Sequence, residues 1–414
     1  VSLLSYKQAV LNERYNYAEI LLITPFIVIV QQFAPVLATR LGASPLLLGF
    51  LTSGAALMLA ITAAMGPWWF SRIRLEMRSL AVPLILFRTV LFWLPLVLLL
   101  PAYRAEALVA LIVILNFFAG LSQVTFVSFL PRMTLRHRLA GMVSGRWTAL
   151  GIGMAVTAPL LAIVLDRFPL PLNYAIVCAI AIVFTIASMV FLFRIKLSPL
   201  TQTETHKIAG QSGAKNVLSH APGMRYLIVT LLVQLALNAP IPLITLRLVR
   251  ELNVSDGDFG IYAAVFWAAL AAFGLLMPWL VERIGNRKVF VASGVGLALQ
   301  VLLLALTSSL PFIWLAGAIG GVASVMFQVT SFALVVESAP PSQYEHYVSI
   351  HSSVANFAVF AAPLAMSALN NVGLPIVTGL LICAAARLVA GLPALRSQTV
   401  LHPPASGSDT VSIR

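Results

Sequence analysis

The residues able to do chemistry in this sequence are few, and they sit inside long apolar runs. Glu19, Arg88, Arg146 and Arg387 are ionisable groups in such runs, where a charge is costly and is kept when it faces an interior cavity or an opposite charge. Amides follow the same placement: Gln31 and Gln32 with Thr24, then Asn116 and Gln123, Gln234 and Asn238, and Gln328. Thr24 and Gln31 are seven residues apart, as are Asn116 and Gln123, which puts each pair on one helix face; Gln234 and Asn238 are one turn apart. Pro240 and Pro242 follow the last pair and break the helix, exposing backbone carbonyls. With Trp267, these groups suit recognition of a solute by hydrogen bonds and stacking, and interhelical bonding is the alternative use.

A buried guanidinium needs a partner, and the apolar runs offer few carboxylates besides Glu19 and Glu337. A contact between Glu19 and Arg146 or Arg88 is therefore expected. Arg88, Arg146 and Arg387 each lie within two or three turns of one end of their run, so snorkelling to an interface is the alternative. Glu19 and His351 are the groups that can change protonation in a transport cycle. No His, Cys or paired-carboxylate spacing resembles a metal or acid-base site, and no phosphate-binding loop occurs. Cys178 and Cys383 both stand in apolar runs, which argues against a disulfide scaffold. No cofactor is expected, and the chain does not read as an enzyme.

The elements that must hold these groups follow from composition. Of 414 residues, 60% are hydrophobic and 9% charged, against about 25% charged in soluble domains. That balance, with a mean hydropathy of +0.98, requires membrane segments throughout. Twelve helical spans are predicted, at 17–39, 45–70, 79–101, 106–130, 141–165, 170–194, 224–246, 258–280, 289–309, 312–336, 347–369 and 372–395. The runs are continuous rather than alternating, which excludes a β-barrel. The first span reads as a retained helix, with no small-residue cleavage pattern after it.

With the N-terminus inside, eighteen Lys and Arg fall in inner segments and five, Arg40, Arg104, Arg167, Arg247 and Arg250, in outer ones. That bias places both termini in the cytoplasm and the chain in the inner (cytoplasmic) membrane. The formal charge of +13 fits anionic lipid better than nucleic acid, being spread over short loops with no aromatic-basic patch. Residues 197–222 read as a cytoplasmic linker and 397–414 as a tail, leaving halves at 1–196 and 223–396.

The halves repeat. At an offset of 211 residues, Leu41, Ser44 and Gly49 fall on Leu252, Ser255 and Gly260, and Pro67, Trp68, Arg72 and Ile73 on Pro278, Trp279, Arg283 and Ile284. An even number of spans per half makes these parallel repeats. The loop after the eighth span reads Glu282, Arg283, Ile284, Gly285, Asn286, Arg287, Lys288. On these residues the chain resembles the major facilitator superfamily, whose signature in this loop is an acid, an Arg, a Gly and basic residues. The first copy, with Ser71, Arg72, Ile73 and Arg74, lacks the acid and the Gly.

The resemblance implies an all-α bundle of two six-helix halves, related by a pseudo-two-fold axis, around a central cavity lined by spans 1, 4, 7 and 10. It implies substrate contacts at Gln31, Asn116, Gln123, Gln234, Asn238 and Gln328, and conformational latching by Arg72, Glu282, Arg283, Gly285 and Arg287. The Arg that proton-coupled relatives carry before a Gly in span 4 is replaced by Asn116 here. The expected function is a monomeric secondary transporter of a small organic solute, in contact with membrane lipids and with a proton or ion as the coupling partner. Export of a neutral or amphipathic compound is the first reading. Uptake of a nutrient or organic anion, and a non-transporting receptor or assembly protein, are the alternatives.

Overall fold

A computed structural model describes residues 5–72, 77–135, 138–198, 221–338 and 344–390. The chain begins with α1 (Tyr6–Leu22), α2 (Thr24–Ile27), a π-helical turn (Val28–Phe33) and α3 (Ala34–Arg40). Then come α4 (Pro45–Arg72), α5 (Met77–Arg88), α6 (Val90–Leu98), α7 (Arg104–Met133), α8 (Leu139–Arg167) and α9 (Leu172–Arg194). The second half runs through α10 (Ala221–Asn238), α11 (Ile241–Leu246), a second π-helical turn (Arg247–Glu251), α12 (Asp256–Gly274) and α13 (Met277–Ile284). It ends with α14 (Asn286–Leu306), α15 (Leu310–Ser338), α16 (Tyr344–Asn371) and α17 (Ile376–Ala390).

Among the described residues, ten helical segments are long and apolar enough to cross a membrane, and the pair Tyr6–Leu22 with Thr24–Arg40, bent by 41°, makes eleven. The twelfth predicted span, 372–395, is met by α17, whose 15 residues rise about 22 Å. Residues 372–375 form the connection before α17, and 391–395 lie outside the described residues.

The breaks have local causes. Pro25 cannot donate to the carbonyl of Leu21, and the Thr24 hydroxyl takes that carbonyl instead at 2.7 Å. Pro240 leaves the carbonyl of Ala236 free of a helical partner in the same way. The first helix also starts well before the predicted residue 17. Ser5 caps it by accepting the Gln8 N–H at 3.2 Å, and its polar face is buried rather than solvated. Asn12 donates to the carbonyls of Met133 and Lys196, both at 2.8 Å.

The matched positions of the repeat have matched jobs. Ser44 and Ser255 each accept an N–H three residues on, from Leu47 at 3.2 Å and Asp258 at 3.0 Å, and so start α4 and α12. Gly49 and Gly260, five residues later, sit where the halves meet, since α4 packs along α16 and α8 along α12. A Cβ on Gly49 would lie 2.5 Å from the Ser367 Cβ, and one on Gly260 would lie 2.4 Å from the Ala162 Cβ. Side chains at either position would hold the halves apart.

Candidate functional site

Two cavities open inside the bundle. The first, about 420 Å³, lies within the N-terminal half, where Ile23, Phe26, Ile27, Phe87, Phe126, Trp147 and Leu150 form an apolar wall. Three charges interrupt that wall. Glu19 Oε1 accepts from Arg88 Nη2 at 2.8 Å, and Oε2 accepts from Arg146 Nη1 at 2.9 Å. The expected choice between two partners is thus resolved as both. Arg88 also donates to the Ser188 hydroxyl at 2.9 Å, and Arg146 donates to Asn16 Oδ1 and lies 4.5 Å from the centre of the Phe126 ring. Neither side chain snorkels: Arg88 is 5% exposed, because the carboxylate on α1 supplies inside the protein what an interface would supply outside it.

The second cavity, about 480 Å³, lies between the halves. Gln31, Gln32 and Thr52 reach it from one side, and Gln234, Asn238, Tyr262, Gln300, Gln328 and Arg387 from the other. Gln31 lines both cavities. Asn238 donates to the Gln234 side chain at 3.2 Å and to its carbonyl at 2.8 Å. Gln300 donates to the Tyr262 hydroxyl at 3.1 Å. Arg387 departs from the snorkelling expectation. It donates to the carbonyls of Ala236, Leu237 and Leu297 at 3.1, 2.6 and 2.7 Å. The first two are carbonyls released by the break at Pro240, so the cation caps the C-terminal end of α10, where a positive charge is favoured.

The bundle end bearing Arg40 is closed across the halves. Arg40 pairs with Asp256 at 2.9 Å and donates to the Val254 carbonyl at 3.4 Å, while Arg250 donates to the Ala43 carbonyl. Asp166, at the end of α8, accepts the Asp256 and Gly257 N–H groups at 3.0 and 2.6 Å. A carboxylate from one half therefore caps a helix of the other, satisfying N–H groups that have no partner within α12. At the opposite end, Glu13 holds Arg138 through two bonds, Nε to Oε1 at 2.9 Å and Nη2 to Oε2 at 2.6 Å. These bonds raise the Arg138 guanidinium above the ordinary arginine range.

The remaining expected residues fall elsewhere. Gln123 lines the first cavity, whereas Asn116 donates to the Ile112 carbonyl of its own helix at 2.8 Å and lines neither. Seven-residue spacing allowed a shared face; the local bond turns Asn116 away. Thr24 likewise bonds Thr157 at 3.0 Å on α8 rather than joining Gln31, because the π-helical turn intervenes. Trp267 packs edge-on against Phe266, with ring centres 5.7 Å apart, and it is Phe266 that lines the second cavity. His351 stacks on Tyr226 at 5.9 Å and lines neither cavity.

In the signature loop, Gly285 takes φ +83°, as its place between α13 and α14 requires. Arg283 lies 5.3 Å from the centre of the Trp279 ring. Among the described residues Glu282 and Arg283 are exposed and form no ion pair, and Arg287 is half-buried. Arg72 ends α4; its side chain and residues 73–76 lie outside the described part, as does the side chain of Glu337. Among the described residues no group of His, Cys, Asp and Glu could hold a metal ion. Sequence reading missed Gln300, Tyr262, Trp147 and Glu13. Gln300 carries the signal used for the other amides, a lone amide in an apolar helix, on a span not expected to line the cavity.

Residues 226–410 match the family model described as Major Facilitator Superfamily. The chain is similar in structure to a variant of the nucleoside transporter NupG, with a TM-score of 0.73 at 14% identity over 94% of this chain and 99% of that one. A D-xylose-proton symporter gives a TM-score of 0.71 at 15% identity, covering 96% and 100%. A bacterial homologue of the human lysosomal transporter Spinster gives 0.67 at 14% identity, covering 96% and 99%. At these identities the likeness is one of fold. No curated protein matches the chain by sequence.

Proposed function

We infer that this chain, which belongs to the major facilitator superfamily, moves a small amphipathic organic solute across a membrane by alternating access of its two halves, 1–196 and 223–396. The observation that carries this reading is the pair of cavities that share Gln31 in their walls, with the clamp of Arg40, Asp166 and Asp256 closing one end of the bundle. Walls of Ile, Phe and Leu with a few convergent amides and guanidiniums suit a solute with an apolar body and one polar end. In this reading the clamped end faces outward, twelve spans cross the membrane and both termini are cytoplasmic, which accords with the charge asymmetry of the loops.

The test is a thermal-stability screen of the protein in neutral detergent against neutral, anionic and cationic solutes, followed by flux into proteoliposomes. A saturable shift that Gln31→Ala and Gln234→Ala both weaken, with flux of the same solute, supports the reading. Flux measured in each direction, with and without an imposed proton gradient, gives polarity and coupling. Solute binding untouched by both substitutions, or binding without flux, overturns it.

A further inference from the structure

Among the described residues, those lining the cavities carry one carboxylate, Glu19, against three guanidiniums, Arg88, Arg146 and Arg387. Arg387 is consumed by backbone carbonyls, and Glu19 neutralises one of the other two. One positive charge is therefore left over in the apolar first cavity, an expensive arrangement unless something answers it. The side chain where that charge is accessible is Arg146, 22% exposed while Arg88 is 5%.

The bonding of Arg146 is one-sided. Its contacts with Glu19, the Asn16 side chain and the Asn16 carbonyl all run through Nη1. Among the described residues no acceptor meets Nε or Nη2, the two N–H groups that form the side-on fork of a guanidinium. That fork matches the two oxygens of a carboxylate or sulfonate. Glu19 and Asn16 fix the opposite edge, so the fork is held in place before any ligand arrives.

We propose that the Nε and Nη2 edge of Arg146 binds the head of a monoanionic amphiphile, a carboxylate or sulfonate, whose apolar body lies along Ile23, Phe26, Phe87 and Trp147. This rests on the cavity being the solute site and narrows the solute to one charge type. Arg88, held by Glu19 and Ser188, serves as a positioning residue for the carboxylate that orients Arg146.

The test uses the full-length protein in neutral detergent and three probes of one shape: 2-naphthoate, 2-naphthylmethanol and 2-naphthylmethylammonium. Binding is read from Trp147 quenching, with Trp147→Phe as the blank, and from the melting temperature. The expected result is saturable binding of naphthoate, about tenfold tighter than the alcohol, with no binding of the ammonium. Arg146→Lys, which keeps the charge for Glu19 but loses the fork, is expected to weaken naphthoate about tenfold while the ligand-free melting curve stays near wild type.

Equal binding of naphthoate and the alcohol, or unchanged naphthoate affinity in both Arg146→Lys and Arg146→Gln, overturns the proposal. Val143→Trp, which fills the cavity, separates the two levels. If it abolishes binding of naphthoate and alcohol alike while they bind wild type equally, the cavity reading stands and the anion reading falls. If no probe binds wild type, or Val143→Trp leaves binding unchanged, both fall.

Discussion

Removing the Asp166 carboxylate is expected to open the clamped end of the bundle. Asp166 accepts two N–H groups at the start of α12 from the other half, at 3.0 and 2.6 Å. A capping bond contributes about 1 kcal/mol, and a carboxylate at a helix N-terminus adds a few tenths more where solvent reaches it. Because Asp166 is exposed, the sum for Asp166→Ala is about 1 to 2 kcal/mol, a shift of about five- to thirtyfold in favour of the separated state. Spin labels at Tyr103→Cys and Val372→Cys, exposed sites on opposite halves, report the distance directly, since Cys178 and Cys383 are each 1% exposed and resist labelling. Gly257→Ala is expected to act in the same direction, because its Cβ would stand 2.4 Å from Asp166 Oδ2. Ser255→Ala is the control: it removes a cap of similar strength that lies wholly within one half. The reasoning is refuted if Asp166→Ala leaves the distance distribution unchanged, or if Ser255→Ala widens it as much.

Three further outcomes follow from the buried charges and amides. Glu19→Ala leaves two guanidiniums facing each other and is expected to cost about 3 kcal/mol, while Arg88→Met, which leaves Glu19 with Arg146, costs about half of that; melting curves that rank the two in reverse would count against the cluster. Arg387→Met strands the carbonyls of Ala236 and Leu237 and is expected to lose about 3 kcal/mol, visible as a lower melting temperature; an unchanged curve would show that water replaces the guanidinium freely. Gln31→Ala is expected to weaken solute binding about fivefold, and Asn116→Ala to change it less than about twofold; equal effects in a titration would mean that Asn116 leaves its own helix to reach the cavity.

The parts of this molecule that sequence made legible are those governed by scarcity and length. Apolar runs marked the spans, and the shortage of carboxylates pointed Arg88 and Arg146 to Glu19 before any geometry was known. Ser44 with Ser255 and Gly49 with Gly260 announced the repeat because a cap and a close approach each restrict residue type. Facing was harder. The spacing of Asn116 and Gln123 is correct for one face, yet a bond to Ile112 turns Asn116 away, and no periodicity carries that choice. Glu13 precedes the predicted first span, and its pairing with Arg138 depends on a contact 125 residues away. Snorkelling stayed open as the alternative for Arg387 because its acceptors are backbone carbonyls, which every sequence contains and none displays.

The π-helical turn at Val28–Phe33 carries a consequence for the chain as a whole. Such a turn holds one residue more than an α-helical turn would, and each residue of an α-helix advances the helix by about 100°. It therefore sets the angular phase between the two ends of the first span: Glu19 below it meets Arg88 and Arg146, and Arg40 beyond it meets Asp256. Deleting one residue within 28–33 would cost little in local helix geometry, yet it would leave the carboxylate and the clamp out of step, each correctly built and unable to be satisfied at once.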